Sequence, residues 1–166
     1  KIKNFKKINF STLNRSDLRR IKLELLNKIN SIPISLILAQ SIIESGWGAS
    51  RFAQEGNALF GQWTWKNDDG IKPKGNLDAN FSVKSFDSLL ESVNAYILNL
   101  NTHPAYKRLR NFRMSQYNTS NNITGNDMAN FLDKYAEIGF EYVTKVKKMI
   151  KKNQLIKYEN SSLATF

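Results

Sequence analysis

The stretch LILAQSIIESGWG, Leu36 to Gly48, carries an apolar run up to a single carboxylate, Glu44. With Pro33 in the first turn of a helix, apolar side chains between Ile34 and Trp47 fall on nearly every side, so the helix is expected to be buried. A carboxylate on such a helix must be paired, neutralised or used, because an isolated charge in a low-dielectric interior costs too much. Apolar neighbours and the negative end of the helix dipole both act to raise its pKa. A carboxylic acid that keeps its proton near neutral pH is what a general acid in glycoside hydrolysis requires. The competing role is structural: a glutamate that caps or hydrogen-bonds a neighbouring loop, through Ser45 or the backbone around Gly61.

Few other chemistries are open to this chain. It has no cysteine and one histidine, His103, which excludes a disulfide scaffold and a cysteine nucleophile and disfavours a metal site or a Ser-His-Asp triad. Catalysis is left to carboxylates, hydroxyls and tyrosines, with no metal and no cofactor expected. Twenty-five Lys and Arg against fourteen Asp and Glu give a net charge of +11 and a pI near 9.9. That balance favours a polyanionic partner, although Lys, Ile and Asn are abundant throughout. No ribonucleoprotein motif, zinc-finger spacing or basic-zipper pattern accompanies the charge, so nucleic acid is not the expected partner. No apolar run reaches membrane-spanning length, and no secretory leader opens the chain.

The elements that must position Glu44 can be read from spacing. Residues 1–14 form a basic lead-in without clear period. Ser16 is a plausible N-cap for an amphipathic helix through Leu18, Ile21, Leu25 and Ile29 to Asn30. The buried helix follows from Ser31 to Trp47, and Gly46 and Gly48 end it. Residues 49–80, with four glycines, the aromatic run FGQWTW and the turn-like NDDG, read as loop and a short irregular β-hairpin. Helical spacing returns with Leu89, Val93, Ile97 and Leu100 behind a Ser88/Glu91 capping box, then from Asn126 to Ile138, and again from Tyr142 through Val146 to Ile150. Residues 115–125 read as a polar loop and 153–166 as a polar tail, which leaves 15–152 as one domain. Trp63 and Trp65, alternating with Gln62 and Thr64, would share one face of a strand, either as a saccharide platform or as packing between lobes.

The block IESGWGASRFAQEGNALFGQWTW, Ile43 to Trp65, resembles the glucosaminidase family (glycoside hydrolase family 73), most closely its Bax-like branch. Its helix-terminal Glu, Ser-Gly-Trp-Gly and Asn-x-Phe-Gly correspond to Glu44, Ser45 to Gly48, and Asn57, Leu59, Phe60 and Gly61. The resemblance continues through FDSLLESVNAYILNLNTHPAY, Phe86 to Tyr106, and KYAEIGFEYVTKVKKMI, Lys134 to Ile150, covering about residues 30 to 152. It implies a mainly α, lysozyme-like α+β fold in which a helical bundle and a small β-hairpin lobe flank a substrate groove. The implied activity is cleavage after N-acetylglucosamine in peptidoglycan, by a monomer exported to the periplasm or cell envelope. Lytic transglycosylases follow their Glu-Ser with a Gly-Leu-Met-Gln block, where this chain reads NALFG. A non-catalytic binding module for glycan or nucleic acid, the other class compatible with a basic, aromatic surface, would normally lose the acid.

The same resemblance implies the remaining site residues. A second carboxylate in the β element falls on Asp69, with Asp68 beside it; the 2-acetamido group of the substrate is the alternative nucleophile, and turn-forming hydrogen bonds are the structural role for both aspartates. Tyr135 matches a family tyrosine facing the catalytic Glu, yet its spacing with Met128, Phe131 and Leu132 also fits plain core. Tyr142, Asn57, Phe60, Gly61, Trp63 and Trp65 complete the expected substrate-binding set, with Asn57 holding its loop by bonds to backbone. Trp47 is expected to pack against Glu44, and His103 to be structural. Many relatives have Ser or Thr followed by Asp-Pro where this chain has AEIGFEY, so the path of that loop is not implied.

Overall fold

Residues 12–65, 70–74, 80–116 and 122–161 are described in a computed structural model of the chain. Helix α1 (Arg15–Ile29) starts at Asn14, whose side chain accepts from the Asp17 amide at 2.9 Å. The cap lies two residues before the expected Ser16. Capping by Asn14 places Asp17 in the first turn, where its charge complements the helix dipole. Most of residues 1–14, all but the last three, lie outside the described residues.

Helix α2 (Ile34–Ser45) is the centre of the molecule. It follows Pro33, whose fixed φ suits a helix start, and ends on Gly46 in the left-handed region (φ 57°), with the Trp47 amide bonded back to Ile42 O at 3.0 Å. Leu36 and Ala39 are fully buried, in one cluster with Tyr96, Leu100, Leu109, Met128, Leu132, Tyr142, Val146 and Ile150. The burial expected from its composition is therefore present. Its polar exceptions, Ser35, Gln40 and Ser45, are buried too and need partners.

The span expected as loop and hairpin holds more structure than its glycines suggest. Helix α3 (Arg51–Gly56) is capped by Ser50, which accepts from the Ala53 amide. Strands β1 (Trp63–Thr64), β2 (Gly70–Ile71) and β3 (Ser82–Lys84) form an antiparallel sheet in the order β1-β3-β2. β3 lies between the two earlier strands, with Trp63 opposite Val83 and Ile71 opposite Val83 on the other side. A two-stranded hairpin is marginal alone; a third strand and packing of Val83 into the interior make this one viable.

Helix α4 (Leu89–Thr102) begins at Ser88, which accepts from the Glu91 amide, while the Glu91 carboxylate reaches the Asp87 amide. After a 3₁₀ turn at Pro104–Tyr106 comes α5 (Lys107–Ser115), in a span to which spacing assigns no element. Its inward face is made of Leu109, Arg110 and Arg113. Arg113 donates to the carbonyls of Asn27, Asn30 and Ser31, and Arg110 to those of Leu100 and His103. The two arginines bind open helix ends, a use of charge that periodicity cannot detect.

Helix α6 (Gly125–Ala129) is far shorter than the expected 126–138. A Thr124/Asp127 capping box starts it, but Asn130 turns its amide back onto Asp127 O and the chain proceeds to Gly139 by three-residue turns. The inward residues Met128 and Leu132 survive this change because turns of three residues also return side chains to one face. Helix α7 (Phe140–Lys152) buries Tyr142, Val143, Val146 and Ile150 against α2. Beyond it, in the stretch expected as a polar tail, a 3₁₀ turn at Leu155–Tyr158 places Leu155 in the core. Glu159 then accepts hydrogen bonds from Ser35 and from the Gly125 amide, at the starts of α2 and α6. A Cβ on Gly125 would lie 2.3 Å from Ser35 Oγ and 2.5 Å from the Leu36 amide nitrogen, so only glycine permits this approach. The whole is a mainly α, α+β domain. Among the described residues no single helix is long and apolar enough to cross a membrane.

Candidate active site

Glu44 occupies the last turn of α2, half-buried, one turn after Gln40 on the same helix face. Tyr142, in the first turn of α7, donates its hydroxyl to Glu44 Oε1 at 2.5 Å. Gln40 Nε2 donates to the Tyr142 hydroxyl at 3.0 Å, and the hydroxyl of Tyr96, from α4, donates to Gln40 Oε1 at 2.5 Å. Four side chains from three helices thus form one continuous hydrogen-bonded row. All the buried polar groups in it are satisfied, as an apolar interior demands.

Around the row stands a cluster of rings. Tyr135 stacks on Tyr142 with centroids 5.1 Å apart and planes at 9°, and touches Tyr96 edge-on at 6.4 Å. Phe60 stacks on Tyr96 at 4.0 Å, and Tyr106 leans on Tyr135 at 6.2 Å. Burial drives the Glu44 pKa up; the Tyr142 hydroxyl and the charge of Lys145 oppose it, and the net direction is upward. The tyrosine pKa values all rise: burial is the main cause for Tyr96, Tyr106, Tyr135 and Tyr142, and the Glu44 charge adds to each. These phenols keep their protons, and that of Tyr142 is donated to the carboxyl.

The other expected site residues take varied places. Asn57 has a left-handed backbone (φ 52°) and its side chain donates to Phe86 O at 2.9 Å, tying the loop after α3 to the start of the α4 segment. Phe60, expected to touch substrate, is only 4% exposed, so its ring supports Tyr96 from behind. Tyr142, from the same expected set, is 2% exposed and meets Glu44 itself. Gly61 turns the chain at φ 57°. Trp63, on β1, and Trp65, just past its end, flank the buried Thr64, and both are open to solvent, at 58% and 70%. That exposure rules out packing between lobes for either ring. Trp63 is steadied by stacking on Phe81 at 4.8 Å. The two indoles border a groove of about 360 Å³ that reaches Ala95 and Asn99 of α4. Asp68 and Asp69 lie outside the described residues. His103 accepts from the Ala105 amide through Nδ1 and leans on Tyr106, as a cap for the 3₁₀ turn.

Two participants escape sequence reasoning. Gln40 carries a readable signal, since it is the one long polar side chain a single turn before Glu44 in an apolar helix. Tyr96 has none, because its spacing with Val93 and Leu100 is that of core. Trp47, expected to pack against Glu44, is 66% exposed. Its backbone is left-handed (φ 62°), between Gly46 and Gly48 in the same region. A bulky residue held in that conformation without burial is an unusual expense of backbone energy.

A mainly helical α+β domain with a half-buried carboxylate at the end of its central helix, and a separate groove bordered by exposed indoles, has the makings of a glycan-processing domain. Residues 21–155 match the glucosaminidase family, described as mannosyl-glycoprotein endo-beta-N-acetylglucosaminidase, and the chain belongs to that family of glycoside hydrolases. It is also similar to Protein bax of Escherichia coli (strain K12), with 36% identity over 134 residues. That match covers 78% of this chain and 46% of the relative, so the chain spans less than half of that protein's length.

Proposed function

We propose that this domain hydrolyses the β-1,4 bond after N-acetylglucosamine in peptidoglycan, with Glu44 as general acid. The observation that carries the reading is the state of Glu44: half-buried, raised in pKa by its surroundings, and held through one oxygen by a buried phenol. Family membership supplies the reaction class. In the reaction Glu44 protonates the glycosidic oxygen as the bond from C1 breaks, leaving an oxocarbenium-like centre that water completes.

Asp69, or Asp68, is the proposed base that takes the proton of that water, in which case its carboxyl stands roughly 6.5 to 9.5 Å from that of Glu44 and the product is inverted. If the substrate's own acetamide attacks C1 instead, no second carboxylate is needed. Tyr135, beside Tyr142, is proposed to orient the acetamide or the water. Trp63 and Trp65 offer flat faces on which sugar rings stack, and Asn57 and Gly61 set the loop that borders them. The basic surface suits the carboxylates of muramic acid, peptide stems and other anionic envelope polymers, and the place of work is the cell envelope.

The test is digestion of purified peptidoglycan by the wild type and by Glu44→Gln, with reducing ends identified by mass spectrometry after borohydride reduction. Products ending in reduced N-acetylglucosamine that vanish in the variant support the reading. Ends in muramic acid or its anhydro form would make the protein a muramidase or transglycosylase, and undiminished digestion by Glu44→Gln would remove Glu44 from the reaction.

A further inference from the structure

We infer that Gln40 and Tyr96 are positioning residues that act on Glu44 through Tyr142, fixing which carboxyl oxygen carries the catalytic proton. The inference rests on Glu44 being the acid of the proposed reaction, but its physical content, control of the Glu44 proton, is measurable without activity.

The argument is one of hydrogen-bond polarity. Ionised Glu44 has only lone pairs to offer, so the 2.5 Å bond to Tyr142 must be donated by the phenol. With its one proton spent, the Tyr142 oxygen can only accept from Gln40, which therefore turns its NH₂ toward Tyr142 and its carbonyl toward Tyr96. Tyr96 must then donate, and it does. Each link determines the next, and Gln40, fully buried, has no water with which to exchange partners. An amide in the reverse orientation would aim its carbonyl at Tyr142 and draw the phenolic proton away from Glu44. Tyr96 disfavours this, because against a reversed amide its oxygen would accept and its own buried proton would lose its acceptor in the row.

The consequence falls on Glu44 when it takes up a proton. Oε1 already accepts from Tyr142, while Oε2 has no hydrogen bond among the described residues. The proton therefore resides on Oε2, the oxygen that no described donor engages. This is the oxygen positioned to hand it on. Without the row, both oxygens would share the proton and the acid would face the wrong way for part of the time. The other ionisable groups facing Glu44 are Lys145, on the same helix as Tyr142, Tyr106 in the 3₁₀ turn, and Tyr135 in the loop before α7. None of these belongs to the row, so substitutions within it leave their charges in place.

The experiment is a titration of the Glu44 side-chain carboxyl by carbon-13 NMR in the full chain, its signal assigned by loss in Glu44→Gln. Tyr142→Phe deletes the direct donor and is expected to move the Glu44 midpoint up by about one pH unit. Tyr96→Phe and Gln40→Met touch neither Glu44 nor any charge, and each is expected to move it the same way by a few tenths of a unit, through loss of polarity and cooperativity in the row. In the pH profile of kcat the alkaline limb, where the acid loses its proton, shifts up correspondingly. At the wild-type optimum Gln40→Met lowers kcat about three- to tenfold with KM unchanged.

If the midpoint is unmoved in both Tyr96→Phe and Gln40→Met, the influence stops at Tyr142 and the inference is overturned. Should either variant fail to fold, the wild type still decides the matter: the slowly exchanging Tyr142 hydroxyl proton must show a downfield signal that titrates with Glu44, and a signal indifferent to that titration refutes the row. The two readings fail separately. Midpoints that move as expected, with Glu44→Gln still digesting glycan, keep the row and sink the catalytic assignment. An inactive Glu44→Gln with unmoved midpoints does the reverse.

Discussion

Two opposing effects meet at Glu44. Burial raises its pKa, while the Tyr142 hydroxyl and Lys145 lower it, and burial prevails. A carboxyl whose folded pKa exceeds its unfolded one binds more protons in the native state over that interval, so stability falls as pH rises through it. Glu44→Gln removes this penalty while keeping an oxygen for Tyr142 to donate to. Thermal melts are expected to show the variant more stable than the wild type at about pH 7, with the difference much reduced at about pH 4, below the ordinary carboxyl value. An equal offset at both pH values would mean that the charge is not held at a cost. A difference that shrinks at low pH marks a carboxyl whose charge is held at a cost to stability.

The element of most consequence is the turn after α2, where Gly46, Trp47 and Gly48 all have positive φ. Glycine adopts this backbone freely, but tryptophan does so at about 1 to 2 kcal/mol. Trp47→Gly relieves that strain and loses little packing, since the indole is mostly exposed. The greater freedom of glycine in the unfolded chain offsets part of the gain, about 0.5 to 1 kcal/mol. The expected outcome is a melting temperature unchanged or slightly raised together with weaker retention on insoluble peptidoglycan, read by co-sedimentation. Retention equal to the wild type would leave the strained indole without a ligand role. At the opposite end of α2, Glu159 joins the first turns of α2 and α6. Glu159→Ala leaves the Gly125 amide and Ser35 without that acceptor and is expected to lower unfolding free energy by about 1 to 3 kcal/mol, measurable as a lower urea midpoint at constant slope.

For the whole molecule, α5 acts as a clasp made of cations. Arg113 is almost fully buried and binds three carbonyls at the junction between α1 and α2, with its pKa pushed down to about 10 by burial and by Arg110. The site that α2 presents is thereby tied to a helix that contributes nothing to its chemistry. Arg113→Met keeps the stem but strands the carbonyls, and is expected to cost about 3 kcal/mol, a fall in melting temperature of roughly 6 to 12 °C. A loss below about 1 kcal/mol would show that water replaces the guanidinium at those helix ends.

The amino-acid sequence by itself determined what depends on local chemistry. The burial of α2 follows from apolar residues on all its sides, its end from Gly46, and the start of α4 from Ser88. It also singled out Glu44, because a lone carboxylate in an apolar run is conspicuous whatever surrounds it. Tertiary structure decided what depends on partners far apart in the chain. Tyr142 and Gln40 are 102 residues apart and Tyr96 and Gln40 are 56, and nothing in their spacing distinguishes a core ring from a hydrogen-bond donor. Helix α5 has its arginines facing inward because open helix ends lie there, and the expected 126–138 helix breaks after Ala129, where the Asn130 side chain donates to Asp127 O. Periodicity records which side chains prefer to leave water; only the assembled fold supplies the carbonyls, carboxylates and rings that make burying a polar one worthwhile.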